Sequence, residues 1–129
     1  MTGEERVSDI EFLNGDGDHE KIVISSYPRS GNTLTRSYLE QLTRIYTGSD
    51  CQIHRTLNKQ LQSAGLCGES EIDNKVWIVK THYPKRTGSQ KFIANRAIVV
   101  VRSPLDCIAS LFNMIGTLSH SESLSDSVL

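Results

Sequence analysis

Three short stretches hold residues whose types and spacing can do chemistry. The first is Ser26-Tyr27-Pro28-Arg29-Ser30-Gly31-Asn32-Thr33, placed between a β-branched run and a helical pattern. Set against the phosphate-loop pattern G-x-x-x-x-G-K-[ST], Gly31 fits the second glycine and Thr33 the closing hydroxyl. Ser26 replaces the first glycine and Asn32 the lysine. Gly31 lets the backbone turn tightly, so that successive N–H groups can point at one oxyanion. The helix start adds a favourable dipole, and Arg29 brings a positive charge from the loop. An ordinary strand-to-helix turn is the plainer alternative for this motif taken alone.

The second stretch is Lys80-Thr81-His82-Tyr83-Pro84. Lys80 and His82 are two apart on an extended segment, so both enter the same crevice. Histidine is the usual general base near neutral pH, although a lone histidine is more often structural. The third stretch runs from Arg102, at the end of an apolar run, to Ser110 on the following helix. Ser103, Cys107 and Ser110 share one helical stripe. A guanidinium and a hydroxyl on one crevice wall make a second anion site. Arg102 also stands where a magnesium-dependent nucleotidase needs an aspartate. With Asn32 in place of lysine, that argues against an ATPase, GTPase or P-loop kinase and for a phosphate-bearing ligand held without metal.

Elements must carry these groups. Lys21–Ser26 reads as a strand, and Thr33–Thr47 as a helix with Leu34, Tyr38, Leu42 and Ile45 on its apolar face and Gly48 as its stop. Arg55–Gln62 reads as a helix, Lys75–Lys80 as a strand and Gln90–Asn95 as a short helix. Ala97–Val101 is the most apolar run and reads as a strand buried on both faces, central in a parallel sheet. Pro104 opens the next helix, with Ser103 as N-cap and Asp106 as its capping partner. Leu105, Ile108, Leu111, Phe112 and Ile115 form the apolar face of that helix, and Gly116 ends it. Strands alternating with helices make an α/β domain with a parallel sheet. Residues 1–20 read as a polar segment, 21–116 as the domain and 117–129 as a Ser-rich flexible tail.

Composition sets outer bounds. The chain has 129 residues, enough for one domain, and a net charge of −1, which gives no polycationic surface for nucleic acid. Its three cysteines, Cys51, Cys67 and Cys107, form no zinc or redox spacing and read as free thiols. Cys51-Gln52-Ile53-His54 has metal-like spacing but no second pair. Asn14–Asp18 fails the calcium-loop pattern, because His19 takes the place of the loop glycine, and reads as a hairpin turn. The polar, acidic start at Met1–Arg6 lacks the apolar core of a signal peptide. No stretch is long enough to cross a membrane. The expected location is therefore cytoplasmic. Ser127-Val128-Leu129 loosely fits a carboxyl-terminal peptide ligand.

Taken together, the three stretches resemble the sulfotransferase family. Tyr27-Pro28-Arg29-Ser30-Gly31-Asn32-Thr33-Leu34 is similar to that family's loop for the 5′-phosphosulfate of its donor. Lys80-Thr81-His82-Tyr83-Pro84 is similar to the segment that carries its catalytic histidine. Val101-Arg102-Ser103-Pro104-Leu105-Asp106, followed by Ser110, is similar to its 3′-phosphate site. The order and rough spacing agree across residues 22–112. The resemblance implies a three-layer, P-loop-like α/β domain around a central parallel sheet, incomplete relative to the family. It implies 3′-phosphoadenosine 5′-phosphosulfate (PAPS) as co-substrate, no metal, and a small-molecule or glycan acceptor, with neither nucleic acid nor membrane as partner. His82, Lys80 and Arg29 would be catalytic. Arg29, Ser30, Gly31, Asn32, Thr33, Leu34, Arg102 and Ser110 would bind the donor. Arg29 departs from the lysine usual there, and Leu34 from the tryptophan that stacks on adenine. The later adenine-binding and acceptor-pocket segments have no counterpart, which leaves a non-catalytic nucleotide-binding or interaction fragment as the alternative.

Overall fold

The computed structural model describes residues 9–52 and 56–125. Among these the chain forms β1 (Ile22–Ser26), α1 (Asn32–Thr43), β2 (Gly48–Ser49), α2 (Thr56–Ser63), β3 (Ile78–His82), β4 (Arg96–Val100) and α3 (Pro104–Thr117). All strand pairs are parallel, in the spatial order β2-β3-β1-β4. The α/β class and parallel sheet expected from the sequence are both present. Residues Met1–Arg6, His54 and Ser127–Leu129, singled out above, lie outside the described residues.

The register is what matters for the site. Ser26, the last residue of β1, is paired with His82 of β3 on one side and with Val100 of β4 on the other. Three strands therefore end level, and in an open parallel sheet that edge is where ligands bind.

One expectation about the sheet is overturned. The apolar strand near 97–101 is not central: β1 lies between β3 and β4, and β4 is the edge. None of its five residues is buried, and Val99 is 67% exposed. An apolar run records composition, and neither which strand has two neighbours nor which faces are covered follows from it. The core is built instead from Ile24 of β1, from Val76, Ile78 and Val79 in and before β3, and from Leu61, Leu66, Cys107 and Met114.

The apolar faces of the helices are corrected in the same way. Leu34, Tyr38 and Leu42 are exposed, whereas Asn32, Arg36 and Glu40 are buried. Along α3, Leu105, Ile108, Phe112 and Ile115 are exposed, while Cys107 and Met114 point inward. The buried face of α1 is polar because it closes a network. Arg36 pairs with Glu69, both fully buried. Arg36 also donates from Nε to Thr47 Oγ1 at 2.7 Å and from Nη2 to Thr47 O at 3.0 Å. Glu40 Oε1 accepts from Thr47 N at 2.9 Å and from Thr47 Oγ1 at 2.6 Å.

Several boundaries also move. Helix α1 stops at Thr43, with Arg44 in the left-handed region at φ 59° and its N–H on Glu40 O. Gly48 is no helix stop. It lies in β2, where a Cβ would come within 2.1 Å of Glu71 O, so glycine permits close backbone packing. Ser103 takes the N-cap position of α3 but makes no side-chain cap bond, so the pairing expected with Asp106 is not formed. That helix passes Gly116 and ends at Thr117. Residues 90–95 form no helix, and Asn14–Asp18 forms bends rather than a hairpin. Among the described residues, no helix is long and apolar enough to cross a membrane.

Candidate active site

The end of β3, the segments that follow β1 and β4, the start of α1, the inner side of α2 and one side of α3 line a cavity of about 500 Å³. Its volume is in the range of small-molecule sites. Arg29, Gly31, Asn32, Thr33, Leu34, Lys80, His82, Arg102 and Ser110 all line it. Of the residues expected at the site, only Ser30 does not. Its hydroxyl is turned inward, 3.4 Å from Cys107 Sγ, and its N–H donates to Tyr27 O at 3.2 Å. Ser30 closes the turn and offers neither group to a ligand in this arrangement.

The loop between β1 and α1 is shaped by two residues with positive φ, Arg29 at 70° and Gly31 at 100°. Glycine takes such a conformation at little cost, whereas arginine does so only where its surroundings hold it. They do here. Arg29 Nε donates to Ser110 Oγ at 2.8 Å, and Arg102 Nη1 donates to Arg29 O at 3.1 Å. The 3′-side residues expected from α3 and its preceding loop are thus tied directly to the Arg29 loop. The N-terminus of α1 carries no side-chain cap, so its first N–H groups, which have no partner within the helix, remain available to an anion. Asn32 is buried and donates from Nδ2 to Ser26 Oγ at 3.0 Å, which anchors the start of the helix to the end of β1.

Strand alternation sorts the middle segment. Lys80 and His82 face the cavity, while Thr81 points the other way and donates to Asp50 Oδ2 at 2.7 Å. The ammonium of Lys80 is buried, with Cys51 Sγ 3.7 Å away. His82 Nδ1 lies 3.1 Å from Ser26 O. A carbonyl can only accept, so Nδ1 carries the proton and Nε2 keeps its lone pair. Burial, then the charge of Lys80, pushes the His82 pKa down to about 4, with Arg86 adding to the effect and the bond to Ser26 opposing it. At neutral pH the ring is therefore an uncharged proton acceptor.

Sequence reasoning missed Cys51, Arg86 and His120, all of which line the cavity. Arg86 sits in a loop noted only as basic. Cys51 belongs to the segment after β2, a two-residue strand too short to leave a periodic signal. His120 stands in a Ser-rich tail with no motif around it. With these included, the wall holds Arg29, Lys80, Arg86 and Arg102 and, among the described residues, no carboxylate.

The geometry agrees with the comparisons to known proteins. The family described as "Sulfotransferase domain" matches residues 19–126. A WSCD family member of Drosophila melanogaster, CG9164, is 35% identical over 92 residues, covering 70% of this chain and 26% of that protein. A WSCD family member of Aedes aegypti, AAEL009094, is 35% identical over 95 residues, covering 73% of this chain and 27% of its own length. The chain thus spans about a quarter of the length of these curated relatives. No solved structure matches it. A family match over most of the chain, joined to a parallel sheet whose strand ends gather the loop, the histidine and the second arginine, places this chain in the sulfotransferase domain family.

Proposed function

We propose that the cavity binds PAPS and that the protein containing this domain transfers the sulfonate to an acceptor hydroxyl or amine. The observation that carries this reading is the wall of four basic side chains with no carboxylate among the described residues, in a chain whose net charge is −1. Such a wall suits a polyanion without a bridging metal. PAPS, when bound, supplies the sulfonate as an electrophile and departs as adenosine 3′,5′-bisphosphate. The residues that fit its 5′ end are Arg29, Lys80 and the N–H groups at the start of α1. Arg102 and Ser110 fit its 3′-phosphate. Leu34, exposed at the mouth, offers apolar surface to the base.

His82 would take the acceptor's proton on Nε2, since Nδ1–H is occupied by Ser26 O. Lys80 and Arg29 would offset charge gathering on the transferred group and the bridging oxygen. Fixed donors of this kind are worth about 10²–10³-fold in rate each.

The test is a pair of binding titrations followed by an activity assay. Adenosine 3′,5′-bisphosphate should bind about tenfold or more tightly than AMP, the weight of one charge-assisted contact. Arg102→Ala should erase that preference while changing AMP binding little. Chelation of magnesium should leave binding unchanged, whereas a P-loop kinase would depend on it. Equal affinity of the unaltered chain for the two nucleotides would sink the 3′-phosphate assignment. With PAPS and a panel of phenols, alcohols and glycans, His82→Ala should abolish turnover and spare nucleotide binding.

A second reading is favoured by one observation. Val99, Val101 and Ile108, all exposed, line a second cavity that shares Arg102 with the site. On that reading the chain binds nucleotide but does not turn it over by itself. Tight bisphosphate binding without sulfonate transfer supports it, and robust transfer by these 129 residues excludes it.

A further inference from the structure

The segment after α3 carries a histidine that the sulfotransferase reading leaves unused. Past Leu118, which takes a left-handed φ of 51°, the chain turns back along the helix. Leu124 N donates to Asn113 Oδ1 at 3.2 Å. The Leu124 side chain lies over Gly116, where a Cβ would come within 2.7 Å of it. This return brings His120 against Arg29. Arg29 Nη1 donates to His120 Nδ1 at 3.2 Å, and Nη2 donates to the His120 carbonyl at 3.3 Å. Arg29 Nε is already on Ser110 Oγ. A guanidinium has five N–H donors. Three are taken here, and one N–H on each Nη remains for an anion. All three acceptors are uncharged, so Arg29 is oriented without its charge being cancelled.

We propose that His120 is a positioning residue for the anion site, holding Arg29 through a neutral imidazole whose proton is on Nε2. The proposal rests on the reading of the cavity as an anion site. Its logic is that of donors and acceptors. A guanidinium can only donate, so His120 Nδ1 must be unprotonated and the ring proton must sit on Nε2. That Nε2 atom is buried and has no hydrogen-bond partner among the described residues, although the Leu57 main chain is near enough to the ring to favour its protonated form. Burial, then the charge of Arg29, pushes the His120 pKa down; Lys80 acts in the same direction, and the Leu57 main chain and Glu69 oppose it. A protonated ring would set N–H against N–H and release Arg29. His120 and His82 therefore face one cavity in opposite tautomers, His120 as a holder of the cation and His82 with its lone pair on Nε2.

The experiment has two arms on the full chain. Long-range nitrogen NMR at pH 7 should find His120 with Nδ1 bare and Nε2 protonated, and His82 the reverse. Titration with inorganic sulfate and with adenosine 3′,5′-bisphosphate should find His120→Ala weakened about tenfold for both, the size of one lost bond to a charged group. His120→Asn, whose amide oxygen can accept from Arg29, should recover most of that loss. Protonation of His120 Nδ1 at pH 7, unchanged affinity in His120→Ala, or His120→Asn no better than alanine would each overturn the assignment. If His120→Ala does not fold, the nitrogen spectrum of the unaltered chain still decides. Sulfate binding without nucleotide binding, with the stated tautomer, would sink the PAPS reading alone. Nucleotide binding indifferent to His120 would sink the positioning role alone.

Discussion

His82 shows how environment turns a residue type into a reagent. Its ring sits beside two cationic side chains, Lys80 and Arg86, in a partly desolvated wall, and its pKa falls to about 4 for that reason. An anion bound against those charges would offset them, so the His82 pKa should rise when adenosine 3′,5′-bisphosphate binds. Proton NMR titration with and without the nucleotide measures this, and an unchanged value would mean that the anion sits elsewhere. The same shift has a stability consequence. The unfolded ring titrates near 6.5 and the folded ring near 4, so between those pH values the unfolded chain binds more protons. Stability is therefore fully present above pH 6.5 and is lost as the pH falls through that window. The urea midpoint of the unaltered chain should drop more steeply between pH 6.5 and 4 than that of His82→Gln. Parallel curves would show that the ring is not held neutral by burial.

At the scale of elements, α1 is the part whose burial pattern runs against its composition. Its inward face is Asn32, Arg36 and Glu40, and its outward face carries Leu34, Tyr38 and Leu42. The helix is fixed at its start by Asn32 on Ser26 and further along by Arg36 and Glu40 on Thr47 and Glu69. Since the loop that would hold the anion lies between β1 and α1, this polar buckle also sets the angle at which the helix start meets the cavity. Removing one partner of a buried ion pair strands the other charge, at a cost of about 3–5 kcal/mol. Arg36→Met should therefore lower the unfolding free energy by that order, and Glu69→Gln should act in the same direction. Adding Glu69→Leu to Arg36→Met should restore part of the loss, because the carboxylate stranded opposite position 36 is removed while Glu40 keeps its bonds from Thr47. Chemical denaturation of the three variants checks this. A neutral Arg36→Met would mean that the pair contributes little.

For the whole molecule, the sheet ends in β4, a parallel edge strand paired with β1 on one side and with no strand on its other side among the described residues. Val99, Val101, Leu105, Ile108, Phe112 and Ile115 are all more than half exposed along this strand and α3. A second cavity of about 570 Å³, lined in part by Tyr83, Val99, Val101 and Ile108, opens there, and Arg102 borders both cavities. Apolar surface beside an unpaired strand edge is a liability in water. The isolated chain should associate as its concentration rises, and Ile108→Lys with Phe112→Glu should reduce that association. Analytical ultracentrifugation across a concentration series gives the answer. A monomer at all concentrations would show that the face is tolerated in water as it stands.

The chemistry was legible in the sequence to the extent that it is local. A glycine and an arginine in a strand-to-helix turn, a lysine and a histidine two apart on a strand, and an arginine eight residues before a serine can each be read from spacing alone. They rest on periods of the backbone that hold whatever surrounds them. Their convergence required only that the strands be parallel and end level, which Ser26, His82 and Val100 do. What tertiary structure alone decided is partnership. The run Ala97–Val101 is apolar in any context, but its place at the edge follows from β1 lying between it and β3. Arg36 and Glu40 look like surface charges until Thr47, just beyond the helix, and Glu69, much further along the chain, close around them. His120 sits far from Arg29 along the chain and reaches it only because the segment after α3 turns back. Local spacing determines which face a side chain can take; which surface meets that face is a long-range outcome, and pattern carries no record of it.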